Sequence, residues 1–155
     1  MTIVVSDTSA ISALLHIGEV EVLRLLYDRV IIPRAVEVEL RRAHQDIPEF
    51  IDVHEVGESP RLEHLRAVLD EGEACAIALA RLLQADLLLI DEKKGRLEAE
   101  RLGLRYIGLV GVLVEAKRCG VLQAVRPILD RLVDEAGFRL APALRSAVLL
   151  EVKEL

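Results

Sequence analysis

The sequence predicts an α/β fold with a parallel sheet, and three observations carry that expectation. Short apolar runs alternate with helix-periodic segments along the chain, the pattern that places helical connections between parallel strands. The runs at 3–5 and 87–90 are continuously apolar, as buried strands require. Both close on an acid, Asp7 and Asp91, at the carboxyl end of the strand, where open α/β sheets place their ligand sites.

Taken in order, 3–6 read as the first strand, and Thr8-Ser9 supply the polar cap of a helix that Gly18 ends. Val20, Leu23, Leu26 and Tyr27 share one face of a second helix at 19–27, and 29–32 form the next strand. Pro33 suits the first turn of a helix bearing Val36, Val38 and Leu40 with Glu37 and Glu39. The stretch 43–62 holds Pro48, Gly57 and Pro60 and is the least regular part, with one short strand expected at 51–56. A helical turn at 63–69 precedes a strong helix at 71–83, with Ala76, Leu79, Ala80 and Leu83 on its inner face. Then come strand 87–90, helix 92–102, strand 105–107, and helices 109–119 and 122–135. Phe138-Arg139-Leu140 reads as an edge strand before a short helix from Pro142. No repeat or linker divides the chain, so residues 1–155 are expected to form one domain.

A chain of 155 residues, 52% hydrophobic and 30% charged, has enough apolar matter for a core and argues against disorder. Its apolar runs are too short to cross a bilayer, and residues 1–20 lack a basic start and cleavage site, so a cytoplasmic protein with no membrane partner is expected. Cys75 and Cys119 sit in apolar helical patterns without metal-ligand spacing and read as reduced core residues. His16, His44, His54 and His64 show no paired helical spacing, which argues against zinc.

Four acids are expected to meet. Asp7 and Asp91 end strands, while Glu39 and Glu73 lie on helices able to aim carboxylates at the same crevice. Such a cluster repels itself unless a cation neutralises it, and oxygen-only ligands favour Mg2+ or Mn2+. The pattern reads as a metal-dependent enzyme acting on phosphate. Each acid also has an ordinary role. Asp7 would cap a helix, Glu39 would lie on a solvated face, and Glu73, like Glu92 beside Asp91, would suit a helix N-terminus. Ser9 would orient a metal-bound water or simply cap. The net charge of -6 works against a binder that relies on excess Lys and Arg, although cations bound at the acids would relieve part of it. Lys93, Lys94 and Arg96 would then track a phosphate backbone, or equally form a solvated helix face; Lys117 and Arg118 read better as the latter. No GxGxxG or GxxxxGK[ST] loop and no DxD motif supports a phosphoryl-transfer enzyme instead.

Asp7-Thr8-Ser9 after an apolar strand, Glu37-Val38-Glu39-Leu40 on the helix after Pro33, Gly72-Glu73-Ala74 before an Ala-rich helix, and Leu88-Leu89-Ile90-Asp91 together resemble a PIN domain. Asp91-Glu92-Lys93-Lys94-Gly95-Arg96, Gly103-Leu104, Ile107-Gly108-Leu109 and Ala116-Lys117 with Gly120 resemble a small prokaryotic PIN-like branch. The likeness spans about residues 3–135. It implies a three-layer α/β/α fold with a central parallel sheet, and a Mg2+- or Mn2+-dependent endoribonuclease hydrolysing RNA. It further implies the toxin of a toxin-antitoxin pair, as in the VapC group, with an antitoxin protein as partner and a homodimeric state. Carried over by position, Asp7, Glu39, Glu73 and Asp91 are the catalytic, metal-holding acids and Ser9 the small hydroxyl residue; Ser9, Lys93 and Arg96 would face the RNA. Leu89 stands where the family often has Thr or Ser, and Glu73 where many relatives have Asp. The alternative is a catalytically silent PIN-like protein that binds RNA or a partner peptide.

Overall fold

The computed structural model describes residues 2–155. Five short apolar segments form the strands β1 (Val4–Ser6), β2 (Val30–Pro33), β3 (Ile51–His54), β4 (Leu87–Leu89) and β5 (Tyr106–Ile107). All pair in parallel, in the order β3-β2-β1-β4-β5. Val4, Val5 and Ser6 of the central strand pair with Leu87, Leu88 and Leu89, and Val5 also pairs with Ile31 on the other side. The chain thus builds outward from β1 in one direction and resumes at β4 in the other, so the strand order reverses between them. A crevice opens beyond the carboxyl ends of two such strands.

Successive strand residues face opposite sides, and the core divides accordingly. Val4 and Leu89 pack into one apolar cluster; Val5, Leu88 and Ile90 pack into another. The first is built with α1 (Thr8–His16), α2 (Glu21–Tyr27), α7 (Leu109–Arg118), α8 (Arg126–Ala136) and α9 (Pro142–Glu151). The second is built with α4 (Pro60–Arg66), α5 (Glu71–Leu83) and α6 (Lys93–Arg101). Helices therefore cover both faces of the sheet, giving the expected three-layer α/β/α arrangement. The remaining helix, α3 (Arg34–Ala43), sends Val36 and Leu40 into the first cluster and touches both α1 and α5. No described helix is long and apolar enough to cross a membrane.

The helix α5 is buried all round from Gly72 to Ala80 rather than on one face. Its Ala74, Ala76, Ala78 and Ala80 let neighbours approach closely, and it packs on β1, β2 and β4 as well as on α3, α4 and α6. That close approach draws its first turn under the surface.

Several expected boundaries shift for local reasons. Phe138-Arg139-Leu140 is not a strand. Gly137 ends α8 in the left-handed region at φ +67°, and Phe138 N–H donates to the Leu132 carbonyl at 2.9 Å, so it is not free to join a ladder. The strand expected at 51–56 stops at His54. Helix α4 starts at Pro60, before the expected turn, because Ser59 Oγ accepts the Leu62 N–H at 3.1 Å and Pro60 suits the first turn. Cys75 is buried as expected, but Cys119 is exposed at the end of α7.

Helix α8 begins at Arg126 instead of 122, with Pro127 in its first turn. A residue near the end of the chain fixes that start. The Glu154 carboxylate accepts N–H bonds from Val125 at 2.7 Å and Arg126 at 2.9 Å, and Lys117 Nζ donates to it at 2.9 Å. Glu154→Ala removes an acceptor shared by two orphan donors and a cation. It should lower unfolding free energy by about 1.5–3 kcal/mol, seen as a lower urea midpoint at an unchanged slope.

Candidate functional site

Each candidate carboxylate is delivered by a different element. Asp7 follows β1, is 1% exposed, and donates its N–H to the Leu89 carbonyl at 3.1 Å, which extends the β1–β4 pairing beyond the strand. It also caps α1, Oδ1 accepting the Ser9 N–H at 3.2 Å. This is the capping role also read for Asp7, and it replaces the cap expected from Thr8-Ser9; Thr8 Oγ1 instead donates to Glu39 Oε2 at 2.5 Å. Capping uses one oxygen of Asp7, and Oδ2 is buried without any hydrogen-bond partner.

Glu73 lies in the first turn of α5 and is 9% exposed. Its N–H donates to Asp70 Oδ1 at 2.8 Å, and its own Oε2 is buried without a partner. The third such atom among the described residues is the Tyr27 hydroxyl on α2. Asp91, one residue past Ile90, accepts the Leu109 N–H at the start of α7, at 3.2 Å on Oδ1 and 3.3 Å on Oδ2.

Two missing side chains bring these groups close. A Cβ on Gly72 would lie 2.5 Å from Glu39 Oε1, so only glycine lets the α3 carboxylate rest over the first turn of α5. A Cβ on Gly108 would lie 2.5 Å from Asp91 Oδ1 and would overlap Arg96 Nη2. Arg96 uses that space: Nε donates to the Ile90 carbonyl at 3.0 Å, Nη2 stands 3.5 Å from Asp91 Oδ1, and the guanidinium lies 5.5 Å above the centre of the Tyr106 ring.

Burial pushes the Asp7 carboxyl well above its ordinary range, and the charges of Asp91 and Glu73 push it further. Burial, then the neighbouring Asp70 carboxyl, raises Glu73 to about 7. Asp91 is raised by burial as well, against the lowering effects of the Leu109 N–H and Arg96. These acids are held where ionisation is costly, and positional strain of this sort concentrates at functional sites.

The carboxylates form one end of a groove of about 1400 Å3. Asp7, Glu39, Asp70, Glu73, Asp91 and Glu92 line that end, and the groove continues along α1 and α7 toward the α8–α9 connection. The DUF3368 family model, described as PIN domain, matches residues 3–154. The chain belongs to this PIN-domain family. No curated protein and no solved structure matches it.

In this PIN domain the four acids read from the sequence, with Ser9 and Arg96, all line the same groove. Lys93, exposed at the start of α6, does not, and Lys94 faces Ala67, Val68, Leu97 and Glu98 elsewhere. The basic stripe is therefore split by the turn of its helix. In the second stripe, Lys117 is turned onto Val152 and Glu154, while Arg118 lines the groove. Leu89 is fully buried in the core and lines no part of the groove. Asp70, Thr8, Tyr106 and Gly108 also line the groove, and the sequence assigned none of them a role in the site. Asp70 had a visible signal, since an acid three residues before Glu73 has the spacing of a capping box.

The oxygen-only donors and the two partnerless buried oxygens fit a hard divalent cation. Among the described residues no group of three or more His, Cys, Asp or Glu side chains stands close enough together to hold a metal ion. An open set suits Mg2+, which keeps several waters and takes only one or two protein carboxylates.

Gly72→Ala should leave the fold intact, because the atom it meets is the end of a flexible side chain, yet displace Glu39. Mn2+ affinity measured by calorimetry should fall roughly 10- to 100-fold. A second outcome concerns pH. Because Glu73 is raised from 4.5 to about 7 in the folded state, its contribution to stability is full below 4.5 and is lost as pH rises through about 7. Metal-free protein should therefore lose melting temperature across that interval, and Glu73→Gln should make the decline shallower.

Proposed function

We propose that the chain is a metal-dependent endoribonuclease that hydrolyses RNA phosphodiester bonds. The observation that carries this reading is the pair of buried, partnerless oxygens, Asp7 Oδ2 and Glu73 Oε2, in a carboxylate-lined groove at the reversal of strand order. Membership in the PIN-domain family supports it with a nuclease-type fold.

Asp7, Glu73 and Asp91, with Glu39, would hold Mg2+ or Mn2+. When bound, the ion supplies a water of lowered pKa and neutralises charge on the phosphoryl oxygens. The chain's own groups do the rest. The Ser9 and Leu109 N–H groups keep Asp7 and Asp91 aimed, and the Thr8 hydroxyl keeps Glu39 aimed. Arg96, anchored on the Ile90 carbonyl, offers its remaining guanidinium donors to a phosphate oxygen, and Ser9 lines the same groove as an exposed residue. Lys93 adds positive charge at the start of α6 without lining the groove. In the cell the enzyme would be the cytoplasmic toxin of a toxin-antitoxin pair, a homodimer held in check by an antitoxin protein.

A second reading, a catalytically silent PIN-like protein that binds RNA or a peptide, is favoured by Leu89, an aliphatic core residue two places before Asp91. One experiment separates them. Asp7→Asn retains a capping oxygen and removes the charge that would hold a cation. Wild type should cleave structured RNA in Mn2+ and stop in EDTA, and the variant should be slower by roughly two orders of magnitude or more at unchanged circular dichroism. Cleavage at the wild-type rate by the variant would remove Asp7 from the mechanism; absence of Mn2+-dependent cleavage by both would favour the silent protein.

A further inference from the structure

Helix α3 brings Glu39 to the carboxylates, and the residues it buries are two smooth aliphatic ones, Val36 and Leu40. Non-directional contacts of this kind hold a helix down without fixing its rotation. The ends of side chains lie about 5–6 Å from a helix axis, so a rotation of about 10° displaces a carboxylate by about 1 Å. A shift of that size would undo both contacts that seat Glu39. Its Oε1 rests 2.5 Å from where a Cβ on Gly72 would lie, and its Oε2 accepts the Thr8 hydroxyl at 2.5 Å.

A second bond ties the end of α3 to the same neighbour. Ser12 Oγ and His44 Nε2 share a hydrogen bond of 2.9 Å, and both residues are half-buried. Thr8 and Ser12 are four residues apart on α1, so they present to α3 one above the other. His44 stands where α3 stops: its N–H donates to the Leu40 carbonyl at 2.9 Å, and its own backbone is extended. The imidazole is therefore carried by the last turn of the helix whose middle carries Glu39. Ser12 lines the groove, and His44 does not.

The other side-chain hydrogen bonds of α3 among the described residues run from Arg34 and Arg41 to Glu37 on the same helix, and from Arg34 to the exposed Glu55. Exposed pairs of this sort contribute little. The directional ties of α3 to α1 are thus Thr8–Glu39 and Ser12–His44, and a cation that draws on Glu39 Oε2 competes with the first. The second is untouched by that competition. We propose that His44 is a positioning residue for the acid cluster: through Ser12 it locks α3 in the rotation that delivers Glu39. This rests on the nuclease reading of the carboxylates and adds a residue outside their groove on which one of them depends.

The test compares Ser12→Ala, His44→Leu, which keeps bulk and loses the bond, and His44→Gln, which keeps an amide able to bond the Ser12 hydroxyl. Mn2+ affinity is read by calorimetry and RNA cleavage as kcat and KM, with circular dichroism and melting curves to establish that each variant is folded. Ser12→Ala and His44→Leu should each weaken Mn2+ binding roughly tenfold and lower kcat about as much, with KM for RNA within about twofold. His44→Gln should recover most of both. Because the two residues are the ends of one bond, Ser12→Ala combined with His44→Leu should cost no more than either alone. Should His44→Leu fail to fold, Ser12→Ala and His44→Gln carry the comparison. Wild-type Mn2+ affinity in folded Ser12→Ala and His44→Leu, equal losses in His44→Leu and His44→Gln, or additive losses in the double variant would overturn the clamp, while Mn2+-dependent cleavage still upheld the nuclease. The expected losses of Mn2+ affinity without cleavage by any of these proteins would uphold the clamp and remove the nuclease. Absence of Mn2+ binding by the wild type would overturn both.

Discussion

Asp7, Glu73 and Asp91 place like charges in one buried corner beside the carboxyl ends of β1 and β4, and the surrounding structure is organised to tolerate that arrangement. Burying a single ionised carboxylate carries an effective penalty of several kcal/mol, and mutual repulsion adds to it. Such a cluster persists only where the rest of the domain over-determines its position. Here the over-determination comes from the paired central strands, whose register is carried past Ser6 and Leu89 by the Asp7 N–H.

Part of the relief is supplied by helix geometry. Helices α1, α5 and α7 all begin at the cluster: the Ser9 N–H meets Asp7, Glu73 lies in the first turn of α5, and the Leu109 N–H meets Asp91. Each helix N-terminus contributes on the order of 0.3–1 kcal/mol toward a nearby anion, up to about 2 kcal/mol when partly buried. Three such contributions reduce the desolvation penalty without cancelling it, which agrees with acids that remain raised rather than lowered. Arg96 pairs with Asp91 alone among them. The residual strain is the property a cation would relieve.

Much of this was legible in the chain because its causes are local. Continuous apolar runs ending in Asp7 and Asp91 gave both buried strands and the end of the sheet at which the acids emerge, and the Ala-rich run after Glu73 gave a helix able to pack close. The misread features depend on partners distant in sequence. The start of α8 is fixed by Glu154, 28 residues beyond Arg126, and no local pattern announces it. Phe138-Arg139-Leu140 has strand-like composition, but the left-handed turn at Gly137 directs the Phe138 N–H elsewhere. Lys93, Lys94 and Arg96 look like one stripe in sequence; helical rotation sends Lys94 and Arg96 to different surfaces. The roles of Gly72 and Gly108 depend on side chains from α3 and α6 approaching within van der Waals reach, which only the assembled layers reveal.

The acidic balance of the chain takes a different meaning once its location is known. The formal charge is -6, and six acids line the carboxylate end of the groove: Asp7, Glu39, Asp70, Glu73, Asp91 and Glu92. The other 20 acids equal the 20 Lys and Arg in number, Arg96 at the patch included. The charge opposing a polyanion is thus concentrated where a divalent cation would neutralise it, and the Glu73 carboxyl, raised to about 7, already lessens it near neutral pH. Away from it, the groove carries Arg118 and Arg139 as well as Glu115 and Glu151. Net charge therefore describes the cluster more than it describes the partner the remaining surface can accept.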